Sequence, residues 1–580
     1  MRSRFTELLT LAGIVLAAAA LWGTLGRQIE VPTVFGDELI HWDASRSLAD
    51  GEGLRVRDGG YGFGPAYPAF VAPVHLLTDD DLTAYGWAKL LNAVLFALAA
   101  IPAYLLARRL LPPGWSLACG ALAVGLPSAV YTGFVMTEGA AYAASTLALL
   151  ACARCLERPT VAAQFLAVAA VGLAASVRLQ LAVLGAALVA ALLVRALVTP
   201  GIRAVSGRSL LRLWPLLLLL GGAAAALAVR AAFGNPFGGY GDLWRTYDIV
   251  DVARWTWRSL AGLGVYLALI PLVVAPIVLG ELLREGRAGS RPAASFLALF
   301  VSVNTALVLV VGAFTSTEFG VGFLHDRYLF YVAPLWIVST AAWAERGLPL
   351  RPVGLVVGAA LTLALLASLP SYLLNADGGR RFDAIASALP SELAEALGFS
   401  EPPRWALVSA AVVAIVAVVA LTRLPPWAVL VPLTVVFALN AAFAWDSRID
   451  AARDRTFASM DAADVQWVDR AVPDGAEVGT LAGGVSIETR DALRLTELFN
   501  GSIVPAFDLG AGYAPTLASD RVRIGGGGVV LADTGPVEAA WIVAPRELEL
   551  VGDVVAEGTV DGLRLWRVRT PLRLAEGSSA

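Results

Sequence analysis

The sequence predicts a polytopic α-helical membrane protein with a C-terminal extracytoplasmic α/β domain, and three observations carry that expectation. Of 580 residues, 58% are hydrophobic and only 16% charged, against roughly 25% charged in an average soluble domain. Apolar runs approaching the roughly 20 residues needed to cross a bilayer recur down to about residue 445. Beyond that point the composition turns polar and is punctuated by glycine. A mean hydropathy of +0.70 cannot describe one soluble core, because cores stop growing near roughly 250–300 residues. A cytosolic enzyme and a nucleic-acid binder are thereby excluded, and a net charge of −4 offers no basic surface for nucleic acid.

Thirteen apolar runs are expected to span, at about 8–26, 84–107, 115–135, 138–156, 161–177, 180–197, 213–233, 259–282, 293–314, 328–344, 352–370, 405–422 and 426–445. The first follows Arg2 and Arg4, but no small-residue cleavage site precedes Arg27, so it reads as an anchor rather than a signal peptide. With the amino terminus inside, Arg108–Arg109, Arg154, Arg158 and the arginines of 195–212, 284–291, 346–351 and 423 share one side. The opposite loops hold Asp37, Glu38, Asp43, Asp50, Asp58 and Asp79–Asp81. This is the positive-inside asymmetry. It places the carboxyl terminus outside the cytoplasmic membrane.

The chain therefore divides into a transmembrane domain, 1–445, containing a first outer loop at 27–83, and an extracytoplasmic α/β domain, 446–580. A second outer segment, 234–258, carries Trp244, Tyr247, Trp255 and Trp257 and reads as an interfacial helix. In the tail a helix is expected around Asp461–Val472, followed by strands at Glu477–Leu481, Val529–Leu531, Ala540–Val543, Val551–Val555 and Leu563–Val568. Glycines separate these runs. The three cysteines, Cys119, Cys152 and Cys155, lie in apolar stretches and read as packing residues. No P-loop motif and no internal repeat is present, which disfavours an ATP-driven pump and a repeat-built transporter.

The first outer loop opens on Asp37 and Glu38 at the top of a surface helix that Gly51 closes. Carboxylates that lose solvation beside a bilayer, and that stand next to each other, are expected to gain basicity. A general base acting on a hydroxyl needs that property. Further along, Tyr61-Gly-Phe-Gly-Pro-Ala-Tyr67 forms a rigid amphipathic stretch suited to line a groove. Glu138 meets the outer face between the third and fourth runs, flanked by apolar residues. An acid so placed is costly and marks a functional site by default. Arg178 falls in a very short outer turn where arginine is disfavoured, and phosphate is a fitting partner because arginine binds it in a bidentate manner. The run Leu324-His325-Asp326-Arg327-Tyr328 brings imidazole, carboxylate, guanidinium and phenol together at the same boundary. His325 and Asp326 alone are too few ligands to specify a metal.

Order and sidedness of these residues resemble the GT-C glycosyltransferases, in particular the protein O-mannosyltransferases, the lipid A aminoarabinose transferases and the bacterial lipid-carrier-dependent sugar transferases. The resemblance covers about residues 1–345. It rests on the Asp37-Glu38 pair before a juxtamembrane helix, on Glu138 after the third run, and on Arg327-Tyr328-Leu329 followed by Pro334. It implies an inverting transferase that moves a sugar from a polyprenyl-phosphate donor to an envelope glycan, lipid or protein acceptor at the outer membrane face. Asp37, with Glu38, would deprotonate the acceptor hydroxyl, and Glu138 would orient the acceptor or a divalent ion. Arg178 and Arg327, with Lys89 in reserve, would bind the donor phosphate. His41, Tyr61, Tyr67, His325 and Tyr328 form the expected substrate groove. Where the aminoarabinose branch carries a basic residue in the Pro-rich part of the loop, this chain has Gly64. No cofactor is required by the resemblance, although it leaves a divalent metal open. The alternative reading is a lipid-linked-sugar flippase or polysaccharide transporter, which needs polar residues through the bilayer. The runs hold almost none, Asn304 and Asn440 being exceptions.

Overall fold

In a computed structural model the protein is described over residues 2–575, except 30–35, 58, 200–212, 233–246, 318–321, 376–383, 453–464, 484–486, 511–518 and 559–561. Two compact units emerge: residues 1–24, 92–132 and 137–446 form the first, and residues 25–91, 133–136 and 447–580 the second.

The first unit is helical, and its helices coincide with the expected apolar runs. Among the described residues, seven helices are long and apolar enough to cross a membrane, or nine if each of two bent pairs is one span. Two shorter apolar helices, Val161–Val177 and Pro352–Ser368, add to these. The protein is thus a multi-pass membrane protein. Three runs differ from expectation: 115–135 bends by 50° between Pro113–Val124 and Pro127–Gly133, 328–344 is α-helical only from Ala333, and 259–282 is not a straight span. Helices Ile249–Tyr266 and Ile270–Arg287 meet there at 103°, because Ala268 and Leu269 both adopt positive φ and Pro271 opens the second helix. The first of these helices takes in Trp255 and Trp257 of the expected interfacial segment, whereas Trp244 lies outside the described residues.

Close helix contacts within the unit rest on small residues, as in membrane bundles generally. A Cβ on Gly358 would collide with the Val273 carbonyl, and one on Gly312 with Thr256. At the bundle's ends, Trp22 donates to the Val124 carbonyl at 2.9 Å and stacks on Trp445.

The second unit joins the first-loop elements to the tail. Helix Gly36–Ala49 is followed by a two-residue hairpin, Arg55–Val56 with Gly59–Gly60, and by helix Ala66–His75. The tail carries a six-stranded sheet ordered Gly552–Glu557, Leu563–Val568, Trp541–Pro545, Val478–Ala482, Ile503–Asp508, Asp520–Arg521. Val478–Ala482 is parallel to both neighbours, and helix Ile487–Phe499 makes its crossover to Ile503–Asp508. All five expected strands are present within a residue or two, while Ile503–Asp508 and the crossover helix were not foreseen. The expected helix at Asp461–Val472 falls mostly outside the described residues, which show only Trp467–Ala471. Leu481, Ile542, Ala544 and Trp566 lie in the sheet's core. A Cβ at Gly479 would stand 2.8 Å from Ile542 and 2.9 Å from Phe507, so the strand carries no side chain there.

Candidate active site

The predicted residues fall into two clusters, one in each unit. In the helical unit the centre is Glu138, fully buried at the first turn of helix Glu138–Glu157, where the N-terminal end of the helix dipole favours a carboxylate. Gly139 lets this helix start approach the Asn92 carbonyl, since a Cβ there would stand 2.9 Å from that oxygen. Arg178, between helix Val161–Val177 and a 3-10 turn, donates from Nη1 to Glu138 Oε1 at 2.7 Å and to Thr137 Oγ1 at 2.8 Å. Arg327 Nε lies 3.5 Å from the same carboxylate oxygen. Both guanidinium groups lie against the Tyr328 ring, at 4.7 and 4.9 Å from its centre, where the π face attracts cations. Gln180 links the pieces, accepting from Arg178 Nε and donating to the Tyr328 carbonyl.

Two buried arginines thus meet at one carboxylate oxygen. The cluster gathers two guanidinium groups, the side-chain chemistry that binds phosphate in a bidentate manner. Tyr331 adds to it: this residue is buried, interacts electrostatically with Arg178, Glu138 and Arg327, and its hydroxyl has no hydrogen-bond partner among the described residues. Sequence reading gave Tyr331 no role; Arg327 and Tyr331 lie in successive 3-10 turns, whose side-chain neighbours no helical spacing foretells.

His325 stacks on Tyr328, with ring centres 5.3 Å apart. The Asp326 carboxylate accepts from the Ile385 and Ala386 amides at 3.1 and 2.5 Å. No group of three or more His, Cys, Asp or Glu suited to a metal occurs among the described residues.

In the second unit the adjacent acids part company. Glu38 is 1% exposed, and its Oε1 accepts from the Tyr85 hydroxyl at 2.8 Å and from the Val135 amide at 2.9 Å. It anchors the helix. Asp37 is only half-buried in the same first turn. His41 shares a hydrogen bond of 3.0 Å with the Tyr61 hydroxyl and meets the Tyr67 ring edge-on. Tyr67 is fully buried, so of the expected groove residues Tyr61 is the more open. Lys89 is buried, donates to the Ile29 carbonyl and lies over the Tyr85 ring. Tyr85, which sequence reading did not single out, thus holds both Glu38 and Lys89; a tyrosine in an apolar run gives no such signal.

A multi-pass helical bundle, an acidic first loop and an α/β tail together define the fold class, which is GT-C-like. The similarity is to ArnT from Cupriavidus metallidurans, in its undecaprenyl phosphate-bound and apo crystal structures. Both comparisons give a TM-score of 0.52 at 14% identity; the bound one covers 96% of this chain and 98% of that one, the apo one 97% and 98%. A weaker likeness, with TM-score 0.41 at 14% identity over 78% of this chain and 41% of the other, is to arabinosyltransferase EmbB from Mycobacterium smegmatis. No protein-family model and no curated protein sequence matches the chain.

Proposed function

We propose that the protein is an inverting glycosyltransferase of the cytoplasmic membrane, its tail extracytoplasmic, that moves a sugar from a polyprenyl-phosphate donor to a glycan, lipid or protein acceptor. The observation that carries this reading is the pair of buried arginines on Glu138. In such a transfer the acceptor oxygen attacks the anomeric carbon, the bond from that carbon to the phosphate oxygen breaks, and negative charge grows on the lipid phosphate. Preorganised cations act most strongly where charge develops. Arg178 and Arg327 take up that charge, and Glu138 holds both guanidinium groups in place. Asp37 receives the acceptor's proton. Glu38, bound to Tyr85 and Val135, fixes the helix that carries it.

The fold similarity to ArnT, captured with undecaprenyl phosphate, supports a polyprenyl phosphate as the carrier class. Two of the polar residues within apolar runs, Asn304 and Asn440, weigh against a transporter, because both close on neighbours. Asn304 accepts from Trp336 at 2.6 Å, and Asn440 accepts from the Leu389 amide at 3.1 Å. The test is transfer by the purified protein from a panel of synthetic polyprenyl-phosphoryl sugars, run with and without chelator. Consumption of one donor by wild type, lost in Asp37→Asn, is the expected result. Donor binding without consumption would sink the enzyme reading in favour of a carrier, and the chelator arm reads any need for a divalent ion.

A further inference from the structure

Helix Gly36–Ala49 is gripped by the tail. Arg46, near its C-terminal end, donates to the Leu498 carbonyl at 2.7 Å and stands 3.3 Å from Asp81. Leu498 lies in the last turn of helix Ile487–Phe499, where carbonyls lack intrahelical partners and the helix dipole favours a cation. Asp81 also accepts from Gln466 of the tail at 3.2 Å. One residue before Leu498, Glu497 accepts from Arg57 Nε at 2.5 Å. That pair is 2% and 1% exposed.

A buried ion pair of this kind contributes little net stability, because desolvation offsets the attraction, and its best-attested use is to fix one arrangement over others. Here it fixes the loop that follows helix Gly36–Ala49, while Arg46 fixes the helix itself. A helix is a stiff rod, rising about 1.5 Å per residue, so its first turn follows wherever its end is held. Asp43, one turn before Arg46, also senses the tail. Its carboxyl is pushed up to about 7 by burial first and by the Glu497 charge second, with Arg46 and Arg57 opposing and Asp81 adding to the rise.

We infer that Arg57 and Glu497 are positioning residues for the transfer reaction: the tail is a built-in clamp that sets the placement of Asp37 through helix Gly36–Ala49. This rests on the reading of Asp37 as the proton acceptor above. Neither residue is asked to touch substrate.

The experiment uses the full chain and the donor that wild type consumes. Glu497→Gln should lower kcat at least about tenfold, since small misplacements of a catalytic group cost one to two orders of magnitude. The donor KM should stay within about twofold, because donor binding is untouched. Hydrogen exchange of segment 36–49 should rise in parallel. The double variant Arg57→Glu, Glu497→Arg should recover most of the lost kcat. Unchanged kcat and unchanged exchange in folded Glu497→Gln would overturn the clamp. If that variant does not fold, the swap decides: recovered kcat supports the clamp, and a folded swap without it overturns the clamp. If wild type consumes no donor, the transferase reading fails instead, and exchange of segment 36–49 still decides the clamp.

Discussion

Arg178 Nη1 lies 2.7 Å from Glu138 Oε1, an ion pair nearly closed to solvent between residues forty positions apart in the chain. Its consequence for activity is directional. Arg178→Ala is expected to lower kcat/KM for the polyprenyl-phosphoryl donor by about 10²–10³, the usual loss when one charge-stabilising donor is removed. Arg178→Lys keeps the charge but not the planar fork whose Nη1 serves Glu138 and Thr137 while its Nε serves Gln180, and should recover only part. Steady-state transfer assays on the three proteins read this, and full activity in Arg178→Ala would refute the phosphate role.

Glu138→Gln removes the carboxylate that two buried guanidinium groups share. Breaking a buried pair from one side typically costs about 3–5 kcal/mol. We expect a marked fall in the thermal midpoint of the purified protein. Adding Arg178→Gln to Glu138→Gln should return part of that loss, since the charge left behind is then smaller. If the double variant is no more stable than the single one, the two side chains are not coupled as described.

Asp37→Asn and Glu38→Gln should separate two roles within one turn of helix. Asp37→Asn is expected to abolish transfer while leaving the thermal midpoint near wild type. Glu38→Gln weakens charge-assisted bonds from the Tyr85 hydroxyl and Val135 amide, each typically about 1.5–3 kcal/mol, so it should destabilise the fold. Activity measured beside melting curves distinguishes them. The reverse pattern would move the proton-accepting role to Glu38.

Two groups in the first loop tie stability to pH with opposite signs. Asp43 titrates near 7 in the fold rather than at its usual 3.8, through burial foremost. The folded chain therefore keeps a proton that the unfolded chain has released between those values. The stabilisation from Asp43 is full below about pH 4 and is lost as pH rises through 7. His75 titrates near 4 rather than 6.5, through burial and then the Arg46 charge, and its Nε2 shares a 2.9 Å hydrogen bond with the Ser45 hydroxyl. Its contribution is present above about pH 6.5 and is lost as pH falls toward 4. Asp43→Asn should thus gain on wild type by roughly 2–4 °C in thermal midpoint between pH 5 and 8. His75→Gln should gain on wild type as pH falls from 7 to 5. Parallel melting curves for wild type and either variant across this range would contradict the assignment.

Much of the architecture was legible because long apolar runs and alternating strands are local patterns. The helices follow the apolar runs, and Val478–Ala482, Trp541–Pro545, Gly552–Glu557 and Leu563–Val568 follow the apolar stretches of the tail. The break between Tyr266 and Ile270 was not legible. Ala268 and Leu269 carry no turn signature, and only packing holds such residues at positive φ. Glu138, Arg178 and Arg327 stood out singly, because charges at the edges of apolar runs need a reason. That they share one carboxylate oxygen was invisible, since pairing over such sequence distances is a property of the fold.

By itself, the sequence determined that this chain is a multi-pass membrane protein with an α/β tail, and which acids and arginines stand at the ends of its apolar runs, since burial preference and hydrophobic period act residue by residue. Only the tertiary structure decided that Glu38 is an anchor while Asp37 stays half-open, that Tyr331 joins the arginine cluster, and that Glu497 of the tail grips Arg57 of the first loop. Those outcomes depend on which distant segments desolvate one another, and a charge changes its meaning according to the partner that burial brings to it.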